Sequence, residues 1–352
     1  MSSPLEEVMG SRAQQREALR DKRHTRRNVL LVFLAFVVLA AVIAGAFVFN
    51  LAHSFDSKTQ KIEQAFPSES LRPTKAAAAA EVTNILVLGS DSRGDGLDLA
   101  EEGAGSNQRS DTMMMVHIPS DHKSVYTMSI MRDTWVDIPG HGQAKINAAM
   151  AFGGVPLVVQ TLEGMFDSRI DHVMMVDFEG FKAITDSVGG VEIDNPIAFK
   201  SSHEAGHMFI RGLQTLSGDQ ALAFVRERYA FTDGDYQRVR NQQIFLKALF
   251  SEVLTPATLA NPVKITSLVD EFSPYVSVDK TLNATSIAGL ALKLKNVRSS
   301  DIKSFTLPNL GTGTSADRQS IVINDEKSVQ EIAQVMKEDQ LGSYLDVKGL
   351  LG

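Results

Sequence analysis

The chain has 352 residues, 43% of them hydrophobic, and no cysteine, which excludes a disulfide framework and any cysteine-based metal site. Its 35 Lys and Arg against 42 Asp and Glu give a net charge of −7. Residues 1–27 carry seven basic and four acidic side chains, a balance of +3, so the rest of the chain carries −10. A nucleic-acid-binding protein needs a basic face, and we therefore expect no nucleic-acid partner.

The first predicted element is a membrane span. Val29–Phe49 contains no charged or polar side chain, and at about 1.5 Å per residue its 21 residues extend roughly 31 Å, the thickness of a bilayer core. The apolar region of a signal peptide is shorter, about 7–15 residues. The preceding basic stretch DKRHTRR favours the cytoplasmic side. We therefore expect a single-pass cell-membrane protein with a cytoplasmic N-terminus and an extracellular folded part.

These features divide the chain into five predicted segments. They are a basic cytoplasmic tail at 1–27, a transmembrane helix at 28–52, an extracellular spacer at 53–81, a folded domain at 82–340 and a C-terminal tail at 341–352. The spacer is polar, contains two prolines and ends in an alanine run, a composition that is typical of a semi-rigid connection.

Strands and helices alternate through the folded domain. Short apolar runs rich in β-branched residues predict strands at 84–90, 111–118, 124–131, 172–178, 275–279, 302–307 and 320–324. Helical spacing and capping signals predict helices at 145–166 with a break near Gly153–Pro156, at 179–190, from Ser217 onwards with a Ser217–Gln220 capping box, at 235–254, at 284–294 and at 328–338. This order predicts a single α/β domain with a central mixed, largely antiparallel sheet flanked by helices.

Charged residues stand at the ends of the first three predicted strands. Asp91 follows the first strand, Asp111 begins the second and Arg132 follows the third. If these strands are antiparallel neighbours, the three side chains meet at one edge of the sheet. Two carboxylates at an open site are typical ligands for Mg²⁺, which is bound by one or two carboxylates and by substrate phosphates; Mn²⁺ is an alternative ion.

A second group of charged residues lies in the stretch FVRERYAFTDGDYQRVR at 224–240. Residues two apart face the same side of a strand, so we expect the preceding helix to end near Ala223 and Arg226 and Arg228 to project together from a strand. Arg238 falls in the first turn of the next helix. Asp233 and Asp235 precede or begin that helix, where a helix-capping role is the alternative to a chemical one.

Arginines beside a divalent metal fit a pyrophosphate, which favours planar donors that keep their charge. Each arginine taken alone is more typical of a surface ion pair. The whole set, placed at strand ends, favours an anionic ligand.

The sequence HEAGH at 203–207 matches the zinc-protease pattern H-E-x-x-H, which requires a helix to bring both histidines to one face. The flanking Asn-Pro, serine pair and glycines predict a loop with a short strand, so we do not expect a zinc site. His117 and His172 lie in apolar strands and are expected to be core residues or to support the site from behind.

With these residues in view, the chain resembles the LytR-CpsA-Psr family. The matching stretches occur in the family's order: NILVLGSDSR, RSDTMMMVHI, SIMRDTWVDIPG, KINAAMAFGG, LSGDQALAFVRERY and DGDYQRVRNQQ. The resemblance covers most of residues 82–250 and implies that 82–340 is a catalytic domain. It implies a ligase that transfers a glycopolymer from a polyprenyl-pyrophosphate carrier to peptidoglycan, typically to the 6-hydroxyl of N-acetylmuramic acid.

The resemblance also implies roles for individual residues. Asp91 and Asp111 match the metal-binding aspartates of the family. Its pyrophosphate-binding positions correspond to Arg109, Arg132, Arg226, Arg228, Arg238 and Gln242. Catalytic roles fall to Arg132, Arg226, Arg228 and Asp235, where Asp235 either accepts the proton of the attacking hydroxyl or only orients Arg238. Arg93 and Arg240 are looser candidates.

Two other functions remain open from the sequence. A hydrolase of pyrophosphate-linked lipids would use the same site with water as the nucleophile, and a non-catalytic envelope protein would only bind the lipid. The methionine-rich strands and the apolar segment 148–162 could line a lipid cavity, although an ordinary hydrophobic core is the alternative.

Overall fold

The computed structural model describes residue 39 and residues 42–89, 112–203, 206–255, 258 and 261–351. The chain divides into two compact units, Met1–His53 and Ser54–Gly352. Residues 42–58 are helical. Most of the predicted span Val29–Phe49 lies outside the described residues, so the transmembrane helix stays a prediction.

The described strands and helices of the second unit alternate as predicted. The strands are β1 Gln60–Ile62, β2 Thr83–Gly89, β3 Thr112–Ile118, β4 Val125–Ile130, β5 Thr134–Ile138, β6 Gly142–Lys145, β7 His172–Val176, β8 Val191–Asn195, β9 Phe199–Lys200, β10 Met208–Phe209, β11 Gly212–Leu216, β12 Val276–Asp279, β13 Ile302–Thr306, β14 Asn309–Thr314 and β15 Ser320–Asn324. The longer helices are α1 Ala148–Phe166, α2 Phe178–Ser187, α3 Gly218–Arg226, α4 Asp235–Val253, α5 Pro262–Phe272, α6 Ala284–Lys293, α7 Glu326–Lys337 and α8 Leu341–Lys348.

The central sheet is mixed, as the sequence predicts. Its described strands run in the order β1-β12-β7-β2-β3-β4-β13. The expectation that it is largely antiparallel is wrong, because antiparallel and parallel neighbours among these described strands are equal in number. The β2–β7 and β4–β13 pairs are joined through long connections with helices, which allow a strand to return in the parallel direction.

A smaller sheet in the order β14-β15-β5-β6 was not predicted, and neither were the hairpins β8–β11 and β9–β10. The strands of this smaller sheet are short, and β14 contains two glycines. The alternation of apolar and polar residues by which a strand is predicted is therefore weak in β14. This sheet continues directly from the end of β4 and therefore lies beside the predicted site.

Helix α1 covers one face of the central sheet. Its Val158, Leu162 and Phe166 are fully buried and pack in one core with sheet residues such as Leu88 and Met115. The helix is long and apolar enough to cross a membrane, but half of its apolar window is buried in this core. It is interrupted at Gly153–Gly154, as predicted, where Gly154 has a φ of 64°. Met113, Met115 and Met128 of the methionine-rich strands belong to this core, and a lipid-lining role for these strands stays a prediction.

The folded unit extends beyond the predicted bounds of 82 and 340. Strand β1, within the expected spacer, pairs with β12. In the expected C-terminal tail, Leu341 and Leu345 of α8 join the main core. The spacer is polar overall and the tail is short, so which of their residues become buried is decided only when the sheet and α7 are assembled around them.

Arg72, also in the expected spacer, forms a buried ion pair with Glu163 of α1. The Arg72 Nη2–Glu163 Oε1 distance is 2.6 Å, and the two side chains are 6% and 1% exposed. The guanidinium lies 4.3 Å from the centre of the Phe66 ring, and Glu163 also accepts a hydrogen bond from the Ile170 amide. This pair fastens the segment before β2 to the core.

We expect Arg72→Ala to lower the free energy of unfolding by roughly 3–5 kcal/mol, because it leaves the buried Glu163 carboxylate without its partner. Urea unfolding of the purified protein, followed by circular dichroism, measures the change. Arg169→Ala is the matched control, since Arg169 pairs with the exposed Glu69, and we expect it to change stability little. Equal effects of the two substitutions would contradict the assignment.

Candidate active site

The ends of the three strands that carry the predicted site lie at one edge of the sheet. Gly89, the last residue of β2, pairs with Thr112, the first of β3, and Met113 pairs with Ile130, the last of β4. The predicted antiparallel arrangement is therefore confirmed. Asp91, Arg93, Arg109 and Asp111 lie outside the described residues, and Gly89 and Thr112 are the described residues nearest to them in the chain.

Backbone hydrogen bonds hold the turn that presents Arg132 between β4 and β5. The Arg132 carbonyl accepts from the Asn147 amide at 3.2 Å, and the Asp133 carbonyl accepts from the Val322 amide at 2.9 Å. The segment after β6 and strand β15 thus fix this turn on both sides. The side chain of Arg132 is 16% exposed.

The predicted strand carrying Arg226 and Arg228 is absent from the described residues, where Arg226 is instead the last residue of α3. The Ser217–Gln220 capping box starts this helix, as predicted, and burial of Phe224 and Val225 carries it past Ala223. Glu227 ends it in an extended conformation, with φ −64° and ψ 130°. Tertiary burial therefore decided where this helix ends.

The two arginines of this segment have different surroundings. The Arg226 guanidinium lies 4.2 Å from the centre of the Phe178 ring, at the start of α2. This distance is that of a cation–π contact. The Arg228 guanidinium lies 4.6 Å from the Tyr229 ring, and its Nη2 donates to the Tyr229 hydroxyl at 2.5 Å. Phe178 stands at the end of a strand predicted at 172–178. This position was the only indication in the sequence that Phe178 could lie beside the arginines.

Asp235 lies at the meeting point of arginines from three elements. Its Oδ2 is 3.2 Å from Nη2 of Arg238 in α4 and 3.5 Å from Nε of Arg132 after β4. Its Oδ1 is 3.8 Å from Nη1 of Arg228 in the loop after α3. Three guanidinium groups and one carboxylate leave a local excess of two positive charges, which suits a polyanionic ligand.

Neither aspartate is the N-cap residue of α4, although Asp235 lies in the first turn of the helix, where negative charge is favoured. The N-cap residue of α4 is Gly234, with a φ of 48°. Asp233 instead pairs with Arg240, whose Nε also donates to Gln237 Oε1 at 2.9 Å. Arg240 is about half exposed, at 49%, and its contacts turn it toward Asp233 rather than toward Asp235.

Glu227 organises the loop that carries Arg228. Its side chain is fully buried and accepts hydrogen bonds from the backbone amides and hydroxyls around it. The donors are Ser201 Oγ, Ser202 N and Oγ, Arg228 N, Tyr229 N and Ala230 N. Burial alone would raise the pKa of Glu227, but these hydrogen bonds outweigh it and lower the pKa. Nothing in the local sequence signals this role, since Ser201 and Ser202 lie 25 or more residues away.

Gln242 ties α4 to the sheet edge. Its Nε2 donates to Thr112 Oγ1 at 3.1 Å and to the Val225 carbonyl at 3.3 Å. It therefore spans from the first residue of β3 to the end of α3. This contact places α4, and with it Asp235 and Arg238, against the strand that follows Asp111.

The model of the LytR_cpsA_psr family matches residues 46–338 of this chain. The chain belongs to the LytR-CpsA-Psr family. A polyisoprenyl-teichoic acid–peptidoglycan teichoic acid transferase TagU of Bacillus cereus (strain AH820) is 33% identical over 230 residues, which are 64% of this chain and 72% of that protein. The cell wall biosynthesis protein LcpA of Corynebacterium glutamicum is 31% identical over 301 residues, 73% of this chain and 56% of that protein.

Solved structures of LytR-CpsA-Psr proteins share the fold. The crystal structure of TagV from B. subtilis superimposes with a TM-score of 0.61 at 26% identity, over 74% of this chain and 97% of that one. A LytR-Csp2A-Psr enzyme from Actinomyces oris has the same TM-score at 21% identity, over 80% of this chain and 96% of that one. The family resemblance and the α/β architecture drawn from the sequence are confirmed.

Of the described histidines that the sequence singled out, His203 and His207 lie between β9 and β10, His117 lies in β3 and His172 lies in β7. Residues 203–207 connect the antiparallel strands β9 and β10, and the described part of this connection contains no helix of the kind that H-E-x-x-H requires. His117 is a core residue, as expected: its Nδ1 lies 2.8 Å from Asn84 Oδ1, and burial lowers its pKa to about 4. His172 pairs with the buried Asp279 at 3.2 Å.

Proposed function

We propose that this LytR-CpsA-Psr protein transfers a glycopolymer from a polyprenyl-pyrophosphate carrier to peptidoglycan, at the 6-hydroxyl of N-acetylmuramic acid. Its relatives, a teichoic acid transferase and a cell wall biosynthesis protein, support the reaction class. The observation that carries the proposal is the convergence of Arg132, Arg228 and Arg238 on Asp235 at the sheet edge.

The reaction breaks a phosphoanhydride bond of the carrier and forms a phosphoester bond to the acceptor. The acceptor hydroxyl attacks the phosphorus that carries the glycopolymer, and the bond from that phosphorus to the bridging oxygen breaks. Polyprenyl phosphate leaves, and the hydroxyl proton passes to the leaving phosphate or to solvent. Because the transition state spreads negative charge over phosphate oxygens, catalysis consists mainly of positioning and electrostatic stabilisation.

The arginines supply both the positioning of the substrate and the electrostatic stabilisation of the transition state. Arg132 and Arg228 are the more open members of the cluster and bind the pyrophosphate oxygens, while the largely buried Arg238 fixes Asp235 from behind. Arg226, stacked on Phe178, extends the cationic surface, and Arg109 completes the set. Asp235 orients the guanidinium groups around it, which is the second of the two roles that the sequence left open.

Metal binding belongs to the same proposal. The described residues contain no cluster of acidic and histidine side chains that could hold a metal, and the proposed ligands Asp91 and Asp111 fall outside them. They flank the paired residues Gly89 and Thr112 in the chain, and two carboxylates at such an edge fit Mg²⁺ or Mn²⁺. When bound, the ion would neutralise charge on the pyrophosphate.

The proposed location follows from the substrate. A polyprenyl carrier lies in the membrane, and a helix within 28–52 would hold the catalytic unit beside it on the outer face. Protease treatment of intact cells tests this topology. Degradation of the region after residue 54 supports it, and protection of that region in intact cells with cleavage after lysis contradicts it.

The reaction is tested with purified protein, a lipid-pyrophosphate-linked sugar, Mg²⁺ and peptidoglycan fragments. Covalent sugar transfer supports the ligase, phosphate release without transfer indicates a pyrophosphate-lipid hydrolase, and binding without turnover indicates a non-catalytic envelope protein.

We expect Arg228→Ala to lower the transfer rate by roughly 100-fold, as for loss of one preorganised donor to a developing oxyanion. Arg240→Ala is the matched control, because this arginine lies in the same stretch but pairs with Asp233 and Gln237. We expect it to keep most of the activity. A control variant as impaired as Arg228→Ala would contradict the placement of the site.

A further inference from the structure

The β5–β6 hairpin carries one open face beside the arginine cluster. In β5 the side chains of Thr134, Val136 and Ile138 are buried, whereas Trp135 is partly exposed and Asp137 is exposed. Residues directly opposite one another share a face of a sheet. Gln143 lies opposite Asp137 and Lys145 opposite Trp135, so these four side chains line the same face.

The open face combines an aromatic plane with polar groups. Trp135 Nε1 donates to Gln143 Oε1 at 3.2 Å, which holds the indole beside the amide. On the other side of β5, Ile323 of β15 pairs with Trp135 and is 38% exposed. We call these five residues, Trp135, Asp137, Gln143, Lys145 and Ile323, the Trp135 strip.

The Trp135 strip is continuous with the candidate active site. Lys145 Nζ lies 3.1 Å from Asp133 Oδ1, and Asp133 Oδ2 lies 3.7 Å from Arg132 Nε. Arg132 in turn contacts Asp235. At about 3.3 Å per residue, β5 extends roughly 13 Å from Thr134 to Ile138, long enough for a short run of sugar rings beyond the turn at Arg132.

We propose that the Trp135 strip binds the sugar chain of the acceptor glycan and thereby brings its reacting hydroxyl to the arginine cluster. This inference rests on the proposed ligase function, which requires an acceptor but leaves its binding surface unassigned. One face of a pyranose ring is formed by C–H groups and packs on an indole, while its hydroxyl and acetamido groups pair with amides and carboxylates. The strip offers both kinds of group side by side.

The charges of the strip favour a glycan strand over the donor pyrophosphate. Asp137 lies on the strip, and Asp133 neutralises Lys145 at its inner end, so the strip lacks the excess positive charge of the cluster. A ring plane with hydrogen-bonding groups around it therefore suits a sugar ring, and the pyrophosphate stays with the arginines. The two substrates meet at Arg132.

The chain contains one tryptophan, so its fluorescence reports on the strip directly. Full-length protein in detergent is titrated with peptide-free glycan-strand fragments in the absence of lipid donor. We expect a saturable change in Trp135 emission. The inference is overturned by an absent response to the fragments, or by a response to stem peptides alone.

Kinetics of transfer give the second readout. We expect Trp135→Ala to raise the KM for the glycan acceptor at least tenfold while the KM for the lipid donor stays unchanged, and Trp135→Phe to restore most of the affinity. Leu213→Ala, at an exposed apolar residue of β11, is the control and should leave both KM values unchanged. If Trp135→Ala does not fold, as judged by circular dichroism, Gln143→Ala replaces it with the same expected split.

The two proposals fail in different ways. A fluorescence response to glycan with no covalent transfer in any assay would overturn the ligase function and leave the Trp135 strip as a glycan-binding surface. Covalent transfer with an unchanged acceptor KM in Trp135→Ala, and no fluorescence response, would overturn the strip and leave the ligase function intact.

Discussion

Asp235→Ala is expected to lower the turnover number for glycopolymer transfer by roughly 100-fold or more, without raising the KM for the lipid donor. Asp235 is the carboxylate on which Arg132, Arg228 and Arg238 converge, at distances between 3.2 and 3.8 Å. Without it, three like charges repel one another and the guanidinium groups leave their positions. The extra positive charge still attracts pyrophosphate, so the loss appears in the chemical step rather than in binding.

Asp235→Asn separates the two roles that the sequence left open. If Asp235 orients the arginines, the amide oxygen keeps part of the contact with Arg238, and the variant retains more activity than Asp235→Ala. If Asp235 accepts the proton, both variants are equally impaired and the acidic limb of the pH–rate profile disappears. We expect the first result. Steady-state kinetics across pH, with donor and acceptor varied separately, distinguish the two.

Asp233→Ala is the matched control for these variants. It removes an aspartate two residues away that pairs with Arg240, and we expect activity close to that of the unmodified protein. Loss of activity in Asp233→Ala equal to that in Asp235→Ala would mean that the helix end, rather than the arginine cluster, is what the substitutions disturb.

Glu227→Gln is expected to lower the free energy of unfolding by roughly 3–5 kcal/mol and to weaken donor binding. The buried carboxylate accepts hydrogen bonds from Ser202, Arg228, Tyr229 and Ala230. An amide in its place turns an N–H₂ group toward backbone N–H groups, which then lack an acceptor, and the buried negative charge is lost as well. The loop carrying Arg228 loses its anchor.

The pH dependence of stability gives an independent measurement. Burial would raise the pKa of Glu227, but the hydrogen bonds from Ser202 and Ala230 lower it below the ordinary value of 4.5. A lowered pKa in the folded state means that Glu227 contributes its stability above pH 4.5, and that this stability is lost as pH falls through the lower folded-state value. In Glu227→Gln, the fall in the free energy of unfolding at acid pH should therefore be smaller than in the unmodified protein, because there is no carboxylate to protonate at this position.

Urea unfolding followed by circular dichroism, at pH 7 and at steps below pH 4.5, measures both effects. Glu192→Gln, at an exposed position of β8, is the control and is expected to unfold like the unmodified protein. If Glu227→Gln is as stable as this control, the loop is held by other contacts.

The sequence by itself determined the strands and helices with strong local signals. The apolar runs predicted the strands β2, β3 and β4, with a shared edge on the condition that they are antiparallel neighbours, and the structure pairs them in this way at Gly89, Thr112 and Ile130. The capping box at Ser217 predicted where α3 begins. These properties depend on neighbours within a few residues, so a single sequence contains them.

The tertiary structure alone decided the rest. The end of α3 depends on burial of Phe224 and on the contacts of Glu227 with Ser201 and Ser202. The two-residue spacing of the arginines, from which a strand was predicted, contains no information on these contacts. The parallel pairing of β2 with β7 and the sheet beside Arg132 depend on segments far apart in the chain. The position of Asp235 among arginines of three elements follows from how those elements pack, because side-chain contacts at long sequence separation leave no local pattern to read.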